Sequence, residues 1–300
     1  MLALSVAERC NGEIVNADAF QLYRGLEILS AQPDASSRRR VPHHLLGVTN
    51  AADPMSAAMF REIASDVIAD VVARGRTALV VGGSGLYIKA LTHGFDHAAP
   101  PDPVLRQELS ALATPQLAQR LQTLDRARAA RTDLKNRRRI IRAIEIAEAQ
   151  HVIPSEGEGS RGESLTLLPR DHSSPIRSAR DEGVGDSRGV VLVRDRDDLY
   201  ARVNQRVNEM FEAGVEEEVA RLTNIGVTAA QALGLREIQQ LLAHEISRQH
   251  CIARIQQKTR RYARRQLTWF RHQTSFPQLN LTPLSQEEAL SAIVQEIAPE

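Results

Sequence analysis

TALVVGGSGLYIKAL, residues 77–91, has the pattern of a strand, a glycine turn and a helix in direct succession. Thr77–Val81 is almost entirely apolar, which is typical of a short strand buried on both faces of a sheet. Gly82-Gly83-Ser84-Gly85 turns the chain, and residues 86–91 begin a helix. A buried strand that leads through a turn into a helix indicates an α/β protein with a parallel sheet.

Neighbouring segments extend this pattern. Residues 56–74 have helical periodicity and lead into the strand just described. Residues 13–18, EIVNAD, follow an amphipathic helix at 2–9 and form a second buried strand that ends on Asp18. Ligands of parallel sheets bind beyond the carboxyl ends of the strands. The sequence therefore predicts that Asp18 and the Gly82–Gly85 turn lie at one functional edge.

The composition changes twice along the chain. Pro100-Pro101-Asp102-Pro103 interrupts the α/β pattern, and helical periodicity then continues to Ala149. The next residues are rich in Ser, Gly, Pro and charge, as in a mobile surface segment. We predict four segments. Residues 1–98 form the first part of an α/β core, 99–150 a helical insertion, and 151–188 a mobile insertion. Residues 189–300 complete the core and add basic C-terminal helices.

The overall composition excludes several classes of protein. Of the 300 residues, 42% are hydrophobic and 25% are charged, as in an ordinary globular protein. Cys10 and Cys251 are the only cysteines and lie outside any metal-ligand spacing, which argues against a disulfide framework and fits a reducing cytoplasm. No apolar run approaches the roughly 18 residues that span a bilayer. We therefore expect a cytoplasmic protein without a membrane partner or a metal site built from cysteines.

Positive charge is concentrated although the net charge is only +1. Residues 135–142 form one basic cluster, and residues 254–271 contain seven basic residues and no acidic residue. A solvated helix normally mixes charge signs to gain i,i+4 pairs, so this segment favours contact with the phosphates of a nucleic acid. Ile255, Tyr262 and Trp269 share another face of the same helix and can anchor it to the body. The seven basic residues are Arg254, Lys258, Arg260, Arg261, Arg264, Arg265 and Arg271.

Three local features each allow two interpretations. Asp18 is either a helix N-cap or loop carboxylate held by backbone amides, or a general base or metal ligand at the sheet edge. The Gly82–Gly85 turn either lets the backbone approach a ligand or is a plain tight turn. His43 and His44 could suggest a metal, but no carboxylate or cysteine stands beside them at ligand spacing. A packing or hydrogen-bonding role is therefore expected for both histidines.

Taken together, these segments resemble the bacterial tRNA dimethylallyltransferase family. The matching stretches occur in the family's order and cover most of residues 2–150 and 189–272. The resemblance implies a P-loop-type α/β core with a helical insertion. The stretches are GEIVNADAFQLYRGLEI, RVPHHLLGV, MSAAMFR, LVVGGSGLYIKAL, DLKNRRRIIRAIEI, DLYARVNQRVNEMFEAGVEEEV, QALGLREI and KTRRYARRQLTWFR.

The resemblance also implies a reaction: transfer of a dimethylallyl group from its diphosphate to the exocyclic amine of the adenosine 3′ to the anticodon. Asp18 would be the general base, and Asp18, Ala19, Phe20 and Gln21 would contact an adenosine that has left its stack. Arg202 and Arg206 would neutralise the departing diphosphate. The implied partners are the tRNA anticodon stem-loop, dimethylallyl diphosphate and Mg²⁺, and we expect a monomer.

Further residues match positions at which the family contacts tRNA. Ser84 stands where the family usually has threonine, and Arg106 follows the proline break. The other matching residues are Arg138, Arg139, Ile140, Ile141 and Arg142 in the helical insertion; Ala232, Leu233, Gly234, Leu235, Arg236 and Glu237 in the QALGLREI stretch; and Arg264, Arg265 and Arg271 in the basic helix.

One element of the family pattern does not occur in these residues. The family begins with a strand and a GPTxSGK[ST]-like phosphate loop, and no G-x-x-x-x-G-K-[ST] pattern is present in the 300 residues. Aligning residues 2–9 with the helix after that loop places the loop just before Met1. We expect the true start codon to lie upstream, because so many substrate-facing motifs are retained. The alternative is a catalytically impaired tRNA-binding protein without a diphosphate site.

Overall fold

The computed structural model describes residues 2–94, 102–151 and 187–297. The chain divides into two compact units, of which the first contains the described residues 2–94 and 187–297 and the second contains 102–151. The predicted combination of helices with parallel strands is confirmed. Nearly all of the predicted mobile insertion at 151–188 lies outside the described residues, and the four domain limits remain predictions.

The first unit contains strands in both of its chain segments. Residues 2–94 form α1 (Leu2–Arg9), β1 (Gly12–Asn16), α2 (Ala35–Arg40), β2 (His43–His44), α3 (Ala57–Ala73), β3 (Thr77–Val81) and α4 (Gly85–Thr92). The second unit forms α5 (Pro103–Ala111), α6 (Thr114–Leu124), α7 (Arg126–Arg131) and α8 (Arg137–His151). Residues 187–297 form β4 (Val191–Val193), α9 (Arg196–Glu212), α10 (Val215–Ala220), α11 (Leu235–Leu242), α12 (Arg248–Gln273), β5 (Gln278–Asn280) and α13 (Gln286–Ile297).

Parallel pairing brings the ends of β1 and β3 to one edge. The strand order is β2-β1-β3, and the register runs from Gly12 opposite Thr77 to Asn16 opposite Val81. All five residues of β1 are buried, as expected for a central strand with covered faces. The expectation that Thr77–Val81 is buried on both faces is wrong: Thr77 is exposed and the other four residues are half-buried, because β3 lies at the edge of the described sheet. Because both strands end level with each other, Asp18 and the Gly82–Gly85 turn lie at the same edge. This confirms the placement predicted from the sequence.

Two apolar cores support that edge. Helices α3 and α4 pack on β1, where Phe60 and Tyr87 stack with ring centroids 4.1 Å apart. The second core joins α9–α12 to the loop after Asp18, with Tyr23, Leu26, Leu235 and Ile255 among its fully buried side chains. The loop that carries Asp18 is thus packed against the C-terminal helices. β4 and β5 form a separate parallel pair in the same unit.

The second unit is a small helical bundle with its own core. Asp102 and Asp125 cap the first turns of α5 and α7 by accepting backbone amide hydrogen bonds. Pro103 stands at the start of α5, where its missing amide hydrogen costs nothing. The fully buried side chains of this core are Leu109, Leu117, Leu121, Ile140 and Ile144.

A buried charge lies on β1 at the end opposite the candidate site. The Glu13 side chain is 2% exposed, pairs with Arg74, and accepts a hydrogen bond from His44 Nε2 at 2.7 Å. The hydrogen bond from Arg74 lowers the pKa of Glu13 to about 2, although burial opposes the shift. His43 Nδ1 lies 2.8 Å from the Val41 carbonyl oxygen. Both histidines therefore have the hydrogen-bonding role that the sequence predicted.

We predict that Glu13→Gln lowers the free energy of unfolding by about 2 kcal/mol near neutral pH, the size of a lost charge-assisted hydrogen bond. The folded pKa of Glu13 lies below its unfolded value. Its contribution is therefore complete above about pH 5 and is lost as the pH falls towards 2. Urea unfolding of both proteins at several pH values measures the difference.

Glu8→Gln, which removes the exposed pair with Arg40, is the matched control and should cost under about 1 kcal/mol. A difference in the free energy of unfolding between wild type and Glu13→Gln that is the same at neutral and acid pH would contradict the account.

Candidate active site

Asp18 lies in a tight turn directly after β1. One carboxylate oxygen, Oδ1, accepts the amides of Phe20 at 2.9 Å and Gln21 at 3.4 Å. The Asp18 amide donates to Asn16 Oδ1 at 3.0 Å. No described residue donates a hydrogen bond to the second oxygen, Oδ2. Asp18 is therefore a carboxylate held by backbone amides, as one interpretation predicted. Its second oxygen, Oδ2, can accept a proton, as the general-base interpretation requires.

The glycine turn is bonded to the Asp18 turn. A Cβ at Gly82 would lie 2.3 Å from the carbonyl carbon and oxygen of Ala17, so only glycine fits there without movement. The Ser84 amide donates to the Ala17 carbonyl oxygen at 3.3 Å, and Ser84 Oγ accepts the Ala19 amide at 2.9 Å. The two turns therefore form one bonded unit at the sheet edge.

Helix α12 packs directly on the glycine turn. Gln266 Nε2 donates to the Gly83 carbonyl oxygen at 2.8 Å, and a Cβ at Gly83 would lie 2.2 Å from that nitrogen. A Cβ at Gly85 would lie 2.3 Å from Cε3 of Trp269. Because Gly83 and Gly85 have no side chains, α12 can pack close to the turn. The sequence analysis considered two roles for these glycines, close approach of the backbone to a ligand and a plain tight turn. Close packing of a helix is a third role.

Tyr262 of α12 reaches the same unit. It is half-buried and lies one helical turn before Gln266, which bonds to Gly83. Burial raises the pKa of Tyr262, and the negative charge of Asp18 raises it further. The sequence identified Tyr262 only as an anchor of the helix and did not single out Gln266. Their spacing of four residues, with Trp269 on the same face, is the signal that could have grouped them.

The two arginines predicted to bind diphosphate have different surroundings. Arg206 donates to the Ser30 carbonyl oxygen at 3.1 Å. Crowding by surrounding protein atoms lowers the pKa of Arg206 although the residue is solvent-exposed, whereas the Asp18 carboxylate favours its charged form, so Arg206 lies within the field of Asp18. Arg202 is 59% exposed and pairs with Asp198 at 2.8 Å. Among the described residues, the contacts of the site therefore bring Arg206, and not Arg202, to the Asp18 turn.

The other residues of the Asp18 segment hold the following loop. Gln21 Nε2 donates to the carbonyl oxygens of Ser30 and Ala31 at 3.2 and 3.1 Å. Phe20 is half-buried against the core, and the Ala19 amide is bonded to Ser84. Gln21 thus shares the Ser30 carbonyl with Arg206, which ties the arginine to the loop after Asp18.

The basic segment of α12 is partly neutralised by residues distant in sequence. Lys258 pairs with the buried carboxylate of Glu237 from α11, so an acid from outside the segment neutralises one of its seven positive charges. Arg254 donates to Gln240 at 3.2 Å. Arg260 donates to Asn204 at 2.6 Å. The remaining exposed arginines have no ion pair among the described residues, and they are Arg261, Arg264, Arg265 and Arg271.

Segment 232–237 is mostly turned inward. Ala232, Leu235 and Glu237 are buried, and Gly234 has a left-handed backbone with φ of 93° beside Ile255. Leu233 is half-buried and Arg236 is exposed. The buried side chains shape this segment, so Arg236 is its main side chain for contact with a large ligand.

The predicted RNA contacts of the second unit also divide into two groups. Arg138 and Arg139 are exposed, whereas Ile140 and Ile141 are buried in the core of the bundle. Arg106 donates to both oxygens of the buried carboxylate of Glu145 at 2.6 and 2.7 Å, and Arg142 bonds to the same group at 3.1 Å. Arg138 and Arg139 therefore present their charge most openly.

The described residues contain neither a cluster of metal ligands nor a membrane-spanning helix. No group of three or more His, Cys, Asp or Glu there could hold a metal ion. No helix there is both long and apolar enough to cross a membrane. Cys251 is buried, and burial raises the pKa of its thiol to about 11.

We predict that Gly85→Ala destabilises the protein by about 1 to 3 kcal/mol, because the added methyl group overlaps the Trp269 ring. Trp269→Leu removes the overlap, so the cost of Gly85→Ala should fall well below that value in the double variant. Thermal or urea unfolding of the four proteins gives the coupling between the two positions. Additive effects would show that α12 does not pack on Gly85.

Comparison with known proteins places this geometry in a family. A family model described as IPP transferase matches residues 21–273. A tRNA dimethylallyltransferase from an Exiguobacterium species is 38% identical over 278 residues, which cover 90% of this chain and 82% of that protein. The crystal structure of the full-length tRNA isopentenylpyrophosphate transferase from Bacillus halodurans is similar with a TM-score of 0.67 and 29% identity, covering 98% of this chain and 89% of that one.

A eukaryotic dimethylallyltransferase, solved in crystallographic snapshots of its action on tRNA, has the same fold with a TM-score of 0.73 at 20% identity, over 98% of this chain and 74% of that one. These likenesses confirm the predicted P-loop-like α/β fold. The matched residues include the glycine turn, Arg206 and all of α12. By sequence and by fold, the chain belongs to the IPP transferase family.

Proposed function

We propose that this protein transfers a dimethylallyl group from dimethylallyl diphosphate to the exocyclic amine of the adenosine 3′ to the anticodon of tRNA. The supporting observation is the Asp18 carboxylate, which is held through Oδ1 by two backbone amides while Oδ2 accepts no hydrogen bond from the described residues. Arg206 lies within its electrostatic reach, and α12 packs beside it with exposed arginines.

Asp18 acts in this proposal as the general base. The lone pair of the exocyclic amine is delocalised into the purine ring, so the amine is a weak nucleophile. As the nitrogen bonds to the allylic carbon, the carbon–oxygen bond to the diphosphate breaks and the diphosphate leaves with that electron pair. Oδ2 of Asp18 takes the proton from the amine. A base positioned in this way typically accelerates such a step by about 10² to 10⁴.

Arg206 is the better placed of the two arginines for the leaving group. Its guanidinium is held by the Ser30 carbonyl oxygen and lies in the field of Asp18. A fixed positive charge beside the site of bond breaking stabilises negative charge that develops on a departing oxygen. Arg202 would first have to exchange its pair with Asp198 for the diphosphate.

The RNA is bound in this proposal through its phosphates. Arg264, Arg265 and Arg271 on α12 and Arg236 on the preceding helix are exposed. Arginine contacts to phosphates supply affinity and orientation without reading the sequence. The adenosine must leave its stack to reach Asp18, and an unpaired anticodon loop makes this less costly than in a duplex. We expect the protein to do this in the cytoplasm as a monomer.

Magnesium is implied by the family resemblance. Mg²⁺ prefers oxygen ligands and is normally held by one or two carboxylates together with substrate phosphates and water. Around the sheet edge, the described residues supply Asp18 and no second carboxylate in contact with it, and they contain no cluster suited to a metal. They do not fit a magnesium ion held by protein ligands alone, and the steps above use none.

We predict that Asp18→Asn lowers kcat by at least about 10²-fold, because the amide keeps an oxygen for Phe20 and Gln21 but cannot accept the proton. The affinity for tRNA should change by less than about twofold. Mass spectrometry of nucleosides from tRNA incubated with the complete gene product and dimethylallyl diphosphate measures the product. Glu62→Gln, an exposed carboxylate on α3, is the control. Wild-type turnover in Asp18→Asn would remove Asp18 as the base, and tRNA binding with no product by wild type would favour a non-catalytic RNA-binding protein.

We predict that Arg264→Gln and Arg271→Gln weaken binding to an anticodon stem-loop, and that each lowers the slope of log affinity against log salt by about 1. Fluorescence anisotropy over a salt series measures both quantities. Arg248→Gln changes the same residue type at the other end of α12, where Arg248 pairs with Glu216. It should leave the slope unchanged. Equal losses in all three variants would show that total charge, and not this surface, attracts the RNA.

A further inference from the structure

We propose that Glu218 is a positioning residue for the candidate site, and that it acts by fixing the turn at residues 27–31. The Ser30 carbonyl oxygen in this turn accepts hydrogen bonds from both Arg206 and Gln21. Glu218 touches neither the diphosphate nor the adenosine in this account. The inference rests on the proposed function, in which Arg206 stabilises the departing diphosphate and Gln21 lies beside the base.

The 27–31 turn has the geometry of one turn of a helix. The Ser30 amide donates to the Leu26 carbonyl oxygen at 2.9 Å, four residues earlier. One helical turn leaves amides without partners at its start and carbonyl oxygens without partners at its end. Ala31, which ends the turn, has a left-handed backbone with φ of 51°, a conformation that costs free energy in a residue with a Cβ. The turn therefore depends on contacts with the rest of the protein.

Glu218 of α10 binds the amide end of the turn. Its Oε2 accepts the Ile28 amide at 2.7 Å, and its Oε1 accepts the Leu29 amide at 2.8 Å. Each carboxylate oxygen thus holds one of two successive amides. Two bonds to one rigid carboxylate fix the orientation of the turn as well as its position.

Burial of the Glu218 carboxylate has a cost that a purely structural residue would avoid. The residue is 8% exposed, and no described residue forms an ion pair with it. Burial of a carboxylate without a cation is unfavourable, and here it raises the pKa of Glu218. Local departures from favourable packing of this kind are expected at functional sites. The observation therefore favours a role for the carboxylate at the turn that it holds.

The carbonyl end of the same turn holds two residues of the candidate site. The Ser30 carbonyl oxygen accepts Arg206 Nη2 at 3.1 Å and Gln21 Nε2 at 3.2 Å. The Gln21 amide in turn donates to Oδ1 of Asp18 at 3.4 Å. One carbonyl group thus joins the arginine to the segment that carries the base. Because Glu218 fixes the other end of the turn, a shift there would displace Arg206 from Asp18.

The competing explanation is that Glu218 stabilises the fold and has no effect on the site. Glu218→Gln separates the two explanations, because the side chain keeps its size but its nitrogen cannot accept an amide. Glu13→Gln is the matched control, since it replaces another buried carboxylate in the same way at the end of β1 opposite the candidate site. Glu218→Asp keeps the charge and shortens its reach, and it replaces Glu218→Gln if that variant does not fold.

Turnover of tRNA and dimethylallyl diphosphate by the folded proteins is the first measurement. We expect Glu218→Gln to lower kcat about tenfold, the scale of a small misplacement of a group in the site, with KM for tRNA unchanged. In combination with Arg206→Gln, the loss should be smaller than the product of the two single losses, because Glu218 acts partly through Arg206. Glu13→Gln should keep the wild-type kcat although it also unfolds at lower urea concentration.

Amide hydrogen exchange is the second measurement, and it needs neither tRNA nor diphosphate. Exchange at residues 28 and 29 should become faster in Glu218→Gln, because a hydrogen bond is lost there. Exchange of the Gln21 amide should also become faster, because the Ser30 carbonyl that holds its side chain is no longer fixed. Glu13→Gln should leave exchange at these three positions unchanged.

A wild-type kcat in Glu218→Gln would overturn the inference, as would fully multiplicative losses in the double variant. Faster exchange that is confined to residues 28 and 29 would also overturn it. Failure of the proposed function is a separate result, in which the wild-type protein itself makes no product. Exchange of the Gln21 amide still decides in that case whether Glu218 positions the site.

Discussion

The packing of α12 on the glycine turn is the constraint on which the candidate site depends. Gln266 bonds to the backbone of Gly83, and Trp269 occupies the space that a side chain at position 85 would fill. The same turn supplies Ser84 to the Asp18 segment. One helix therefore sets the distance between two loops at the sheet edge, and any shift of that helix would move the carboxylate with it.

The basic residues of α12 form two groups, one that contacts neighbouring helices and one that is exposed. Towards its N-terminal half, Lys258 is paired with the buried carboxylate of Glu237 and Arg260 with Asn204, so these side chains tie α12 to its neighbours. In the C-terminal half, Arg264 and Arg271 are exposed. Because the first group fixes the helix, the second group is presented from a rigid support. A polyanion bound there would lie next to the Asp18 turn, since Tyr262 and Gln266 belong to the same stretch of helix.

Local patterns were sufficient to predict the fold class and the functional edge. The apolar run at 13–17 lies in a buried strand and the run at 77–81 forms a half-buried one, and parallel strands bring their following loops together. Position along the chain also identified Asp18, which ends the first run. The resemblance to a family implied the roles of the other site residues. The geometry supports the role of Arg206, which lies in the field of Asp18, better than that of Arg202, which is paired with Asp198.

Contacts between residues far apart in sequence could not be predicted in the same way. Glu237 neutralises Lys258 from another helix, and no local pattern pairs them. Glycine is compatible with ligand binding, tight turns and close helix packing, so Gly83 and Gly85 did not reveal which one applied. Tyr262 has the spacing of a core anchor, and only the fold brings it into the field of Asp18.

A crystal structure of the protein with an anticodon stem-loop tests the central claim most directly. The account predicts that the adenosine 3′ to the anticodon is turned out of its stack, with its exocyclic nitrogen about 3 Å from Oδ2 of Asp18. The Phe20 and Gln21 amides should remain on Oδ1. An adenosine bound elsewhere, or an Asp18 whose two oxygens both face backbone amides in the complex, would contradict the assignment of Asp18 as the base.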